Sequence, residues 1–73
     1  MAFLKKLTNS EKRVMATNAG WRETEALQRT YCVTSSKPSR GHDVITLHYW
    51  HTDNDGNNVR RRADYDRKTH RWV

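Results

Sequence analysis

The chain has 73 residues, 34 % of them hydrophobic, and a formal net charge of +6 from 14 Lys and Arg against 8 Asp and Glu. That length holds one domain, residues 1–73, with a thin core and little room for a deep catalytic pocket. The charge predicts an acidic partner, nucleic acid or an acidic protein face, and it is spread as +3, +1 and +2 over residues 1–20, 21–43 and 44–73, so a basic patch has to be assembled by folding.

No apolar run approaches the roughly 20 residues that span a bilayer, so no membrane association is expected. The start "MAFLKKL" lacks the apolar core of a secretory signal. The single Cys32 cannot form an internal disulfide and suits a reducing compartment. A soluble intracellular protein is expected.

In chain order, residues 1–7 either supply a hydrophobic staple through Phe3, Leu4 and Leu7 or remain mobile. Residues 8–20 form the one good helix. Thr8 and Glu11 have capping-box spacing, Asn9 and Ser10 being alternative caps, and Gly20 stands where helices commonly stop. Its apolar stripe is short, Leu7, Val14 and Met15 with Ala19, so the helix must dock to persist.

Residues 21–35 are ambiguous: the first half is compatible with helix, while Leu27, Arg29, Tyr31 and Val33 alternate with Gln28, Thr30, Cys32 and Thr34 as in a strand over 27–34. A polar loop with Pro38 and Gly41 follows at 35–43. Residues 43–51 form the clearest strand, with Ile45, Leu47 and Tyr49 on one face and Val44, Thr46, His48 and Trp50 on the other. A turn in "TDNDGNN" leads to a strand carrying Val59, Arg61, Ala63 and Tyr65 on one face. A second turn precedes a short strand with Trp72.

The expected class is α+β: one short N-terminal helix at 8–20 with a three- to four-stranded antiparallel meander over 27–73.

The first turn decides the register. A two-residue turn at Asp55-Gly56 sets Leu47 opposite Asp64 and Ile45 opposite Asp66, placing carboxylates on the apolar face. A three-residue turn, Asn54-Asp55-Gly56 with Gly56 left-handed, sets Leu47 opposite Ala63 and Ile45 opposite Tyr65. The second register is the sensible one. It places Trp50 opposite Arg60, His48 opposite Arg62 and Thr46 opposite Asp64 on the outer face, with a cation–π contact between Trp50 and Arg60. Arg61 then lies opposite Tyr49, its stem packing at the core rim.

Trp50, His48, Arg60 and Arg62 thus form the leading partner-binding patch, Trp and Arg being the types enriched at interface hot spots. Arg61 stands at its edge, and the helix offers Lys12 and Arg13 as a second contact. The bland counterpart is a solvated sheet face, or one covered by the helix. Interleaved basic and aromatic residues also suit single-stranded nucleic acid, but Asp53, Asp55, Asp64 and Asp66 sit in the same segment and repel phosphates.

No metal or other cofactor is expected: His48 and His51 point to opposite faces of a strand, and Cys32, His42 and His70 lack ligand spacing. The "DNDGNN" turn lacks the twelfth-position glutamate of an EF-hand. No nucleophile–base spacing is evident, so no enzymatic activity is expected.

The segments "MAFLKKLTNSEKRVMATNAG" and "HYWHTDNDGNNVRRRADYDRKTHRWV", with the length of 73, resemble small bacteriophage proteins that bind host RNA polymerase. The likeness covers the whole chain. It implies a regulator in the host bacterial cytoplasm that contacts the N-terminal part of the β′ subunit, with β as a further contact; a monomer is expected. Such a protein blocks promoter complex formation by the σ-containing enzyme, through steric or allosteric competition with σ, and acts as an antiterminator. A nucleic-acid-binding module is the alternative, and an inhibitor of another host enzyme is a third.

Overall fold

The computed structural model describes the backbone of residues 2–4, and residues 7–35 and 43–73 in full. The loop expected at 35–43 falls largely on residues 36–42, which lie outside the described residues. Strand β1 (Ala2–Leu4) is followed by helices α1 (Asn9–Thr17) and α2 (Trp21–Arg29), then by β2 (Thr30–Ser35), β3 (Val44–Thr52), β4 (Asn58–Asp66) and β5 (Arg71–Trp72). The fold is α+β. The strands form one antiparallel sheet in the order β1-β2-β3-β4-β5. The expected meander is β2 to β5, and Ala2–Leu4, expected as staple or mobile start, extends it by pairing with β2.

Helix α1 begins as its sequence dictates. Thr8 is the N-cap, and its Oγ1 accepts from Glu11 N at 3.1 Å. The Glu11 carboxylate does not turn back to complete a capping box. It pairs with Arg67 Nε at 2.7 Å, tying the helix to the turn after β4. The helix ends at Thr17 rather than at residue 20, with Asn18 as C-cap. Asn18 Nδ2 donates to the His70 carbonyl at 2.9 Å, so a long-range contact replaces the glycine stop. Gly20 has extended backbone and is instead the N-cap of α2.

Two helices stand where one was expected, and the strand expected from residue 27 starts at Thr30. Residues 21–29 contain good helix formers, with Glu23 in the first turn and Arg29 in the last, where each complements the helix dipole. The sheet-facing stripe of α2 is largely polar. Arg22, Glu25, Ala26 and Arg29 follow helical spacing, and of the helix residues Ala26 is the buried one. Glu25 Oε1 lies 2.9 Å from His51 Nδ1 on β3. Arg29 donates to Thr52 Oγ1 at 3.0 Å and Asn58 Oδ1 at 3.2 Å. Arg22 Nη2 donates to the Arg62 carbonyl at 2.9 Å. The hydroxyl of Thr30 donates back to the Ala26 carbonyl where helix passes into strand.

The β3–β4 register matches the three-residue turn. Leu47 pairs with Ala63, Ile45 with Tyr65 and Tyr49 with Arg61, while Trp50, His48 and Thr46 pair with Arg60, Arg62 and Asp64. Gly56 has φ 82°, and its N–H donates to the Asp53 carbonyl at 3.1 Å. Asp53 Oδ1 accepts from the Asp55 and Asn57 amides and holds the loop.

The core lies between the helices and one sheet face. It comprises Leu7, Met15, Ala26, Val33, Ile45, Leu47, Tyr49, Ala63 and Tyr65, with Leu27 and Trp72 packed against it. From the expected helix stripe, Leu7 and Met15 are buried and Val14 is exposed. Trp72 meets Tyr65 edge-on at 5.1 Å and donates its Nε1–H to the Met15 carbonyl at 3.0 Å, so β5 clamps α1.

Candidate binding surface

The helices cover the face of Ile45, Leu47 and Tyr49. The face of Thr46, His48 and Trp50 is left without a helix among the described residues. On that face Arg60 and Arg62 are exposed and His48 and Trp50 half-buried, while Thr34 and Asp66 toward its other end are buried.

Its centre is built by an irregularity. Thr30 pairs with Tyr49, but Cys32 pairs with His48, so β2 holds one extra residue at this level. That bulge turns Tyr31 outward. Simple alternation places Tyr31 on the same face as Val33; in the structure Val33 is buried in the core and Tyr31 is 46 % exposed. The Tyr31 ring lies 5.0 Å from the Trp50 ring at 33° and 6.4 Å from His48. Arg60 Cζ stands 5.6 Å from the Trp50 ring centroid, within cation–π range. One row thus runs Tyr31–Trp50–Arg60 across three strands.

The rest of the face supports that row. His48 Nε2 lies 3.1 Å from Thr34 Oγ1, which fixes the imidazole between Tyr31 and Arg62. Thr46 Oγ1 donates to Asp64 Oδ1 at 2.6 Å, and Asp66 accepts from the Lys68 and Thr69 amides. Both carboxylates are thereby engaged within the fold. Arg71 pairs with Asp66 across β4–β5, so it shares the face of Arg60 and Arg62.

Of the expected site residues, Trp50, His48, Arg60 and Arg62 come together on this face. Arg61 lies on the other face, opposite Tyr49 as the register requires, and is exposed. Lys12 and Arg13 are exposed on α1, across the sheet from the row. Two exposed aromatics join the inventory. Tyr31 was hidden by the bulge. Trp21, at the start of α2, is 77 % exposed, and no periodicity marks it.

Two buried hydroxyls, Tyr49 Oη and Tyr65 Oη, have no hydrogen-bond partner among the described residues. The Arg22 guanidinium lies beside the Tyr49 hydroxyl, which holds the Arg22 pKa above its ordinary value, though the geometry falls short of a hydrogen bond. Burial, reinforced by the charges of Glu11 and Asp66, pushes the Tyr65 phenol above its ordinary value. A cavity of about 400 Å³ lies over Tyr65 between α1 and the turn after β4, where Glu11 and Arg67 pair across its wall.

Among the described residues no three His, Cys, Asp or Glu side chains converge in a way that holds a metal ion. No described helix is long and apolar enough to cross a membrane. The arrangement offers adhesion: two rings for stacking and three arginines for anionic groups. Comparison with protein-family profiles, curated proteins and solved structures returns no match to this chain.

Proposed function

We propose that this chain is a non-catalytic binding protein that engages bacterial RNA polymerase, inhibits σ-dependent initiation and promotes antitermination. The observation that carries the binding role is the open sheet face, where Tyr31, Trp50 and Arg60 form a continuous row that the helices leave uncovered. The likeness of the chain to small phage regulators supports polymerase as the partner, with the N-terminal part of β′ as the contact. A small protein that displaces a larger factor needs an adhesive patch rather than a pocket, and buried aromatic and arginine anchors supply such patches.

The test is a pull-down from nuclease-treated bacterial lysate at moderate salt, followed by transcription with purified polymerase. Capture of the β and β′ subunits, loss of σ from the captured fraction and read-through of a terminator are expected. Failure to capture β and β′ overturns the assignment.

A second reading is direct binding of single-stranded nucleic acid, favoured by the stacked ring pair beside arginines. Salt separates the two. Phosphate contacts weaken steeply with salt through counterion release, whereas an interface anchored by buried rings weakens less.

A further inference from the structure

Strand β4 ends the sheet for most of its length. Strand β5 pairs with Tyr65 and Asp66, and Val73 N reaches the Asp64 carbonyl. From Asn58 to Ala63 the outer side of β4 meets no strand among the described residues.

Hydrogen-bond parity shows what that edge offers. In an antiparallel ladder the N–H and C=O of one residue point to the same neighbour, and successive residues alternate. The bond from Asp53 N to the Asn57 carbonyl directs the odd-numbered groups of this strand toward β3. The bond from Val73 N to the Asp64 carbonyl directs the even-numbered groups outward. Asn58, Arg60 and Arg62 therefore present their backbone groups to the open edge. Arg22 Nη2 takes the Arg62 carbonyl.

We propose that the edge at residues 58–62 accepts an extended acidic segment of a partner protein as an additional strand. The proposal rests on the partner being a protein, as in the polymerase assignment, and names how that partner is held. Backbone pairing supplies affinity in this mode, and flanking side chains supply selection.

The arginine run fits this role. Arg60 and Arg62 flank the edge on the open face, and Arg61 flanks it on the helix face. Successive residues of an incoming strand also alternate between those faces. Three consecutive carboxylates would each meet one arginine. Charged side chains on an edge normally discourage strand addition. Arginines discourage neutral and basic strands and admit an acidic one. A second copy of this chain is disfavoured for the same reason, since edge-to-edge pairing sets Arg60–Arg62 against its own kind.

The test uses the full chain in two arms. In the first, amide hydrogen exchange is followed by NMR with a capped Val-Glu-Glu-Glu-Val peptide as probe and a fully N-methylated copy as control. The Asn58 and Arg60 amides should exchange fast in the free protein, and those of Val59 and Arg61 slowly. The peptide should slow Asn58 and Arg60, and the N-methylated copy should not. No protection at millimolar peptide, or equal effects of both peptides, overturns the proposal.

In the second arm, Arg60→Pro is compared with Arg60→Ala for polymerase binding. Both remove the guanidinium, but proline alone removes the outward N–H, which an edge strand tolerates. The proline variant should bind at least about tenfold more weakly than the alanine variant, each with the wild-type CD spectrum. Equal affinities overturn strand addition and leave polymerase binding standing. Failure of the wild-type chain to bind polymerase overturns that assignment while the peptide arm still decides the edge. If Arg60→Pro does not fold, the exchange pattern decides.

Discussion

The Tyr31 ring lies 5.0 Å from the Trp50 ring because β2 carries one more residue than β3 where they meet. Without that bulge Tyr31 would alternate onto the helix-covered face. The bulge gives this face two adjacent aromatic rings beside Arg60, and the candidate binding surface is centred on them.

Removing the centre of the row should abolish adhesion without unfolding the domain. Trp50→Ala combined with Arg60→Ala is expected to weaken polymerase binding by at least about 2 kcal/mol, the hot-spot range. The far-UV CD spectrum should stay unchanged, because neither side chain belongs to the core. Calorimetric titration checks the affinity. Wild-type affinity in the double variant moves the interface elsewhere, with exposed Trp21 the next candidate.

The hairpin register makes opposite demands on neighbouring residues. Ala63 is buried against Leu47, so Ala63→Asp buries an unpaired carboxylate and should cost about 3 kcal/mol or more, enough to unfold so small a domain. Arg62 is exposed, and Arg62→Asp should change stability by less than about 1 kcal/mol. Urea denaturation compares them, and the reverse order would contradict the register.

Gly56 tests backbone conformation apart from packing. A Cβ placed there meets nothing within 4 Å, but its φ of 82° is in the left-handed region. Gly56→Ala should therefore destabilise by about 1–2 kcal/mol through backbone strain alone, and Gly56→Asn by less, since asparagine visits that region more readily. Thermal melts of the two variants measure the difference.

Tyr65 should make the fold sensitive to alkali. Its folded-state pKa lies above the ordinary value, so the neutral phenol is the form that the fold favours. That contribution is fully present below the unfolded pKa of about 10 and is lost as pH rises through the higher folded value. Tyr65→Phe should flatten this alkaline limb. At neutral pH it should be nearly neutral or stabilising, because the buried hydroxyl has no hydrogen-bond partner among the described residues. Stability measured by denaturant between neutral and alkaline pH checks both statements.

Local rules were enough for the β3–β4 hairpin. Apolar alternation marked both strands, and the Asn54-Asp55-Gly56 turn selected the register by keeping Asp64 and Asp66 off the apolar face. The start of α1 was equally legible, since Thr8 caps it through its own side chain. These features depend on contacts within a turn or between adjacent strands, where spacing alone determines which side chains meet.

The rest required the third dimension. Pattern reading left helix α2 undecided because its sheet-facing residues, Arg22, Glu25 and Arg29, are polar and find partners on β3 and β4, leaving little apolar periodicity to detect. The end of α1 is set by Asn18 reaching His70, 52 positions away. Tyr31 faces outward through a bulge that alternation cannot express. Sequence by itself determined which residues share a face of the hairpin. Only the tertiary structure decided which face stays open, because that depends on where the two helices bury Met15 and Ala26.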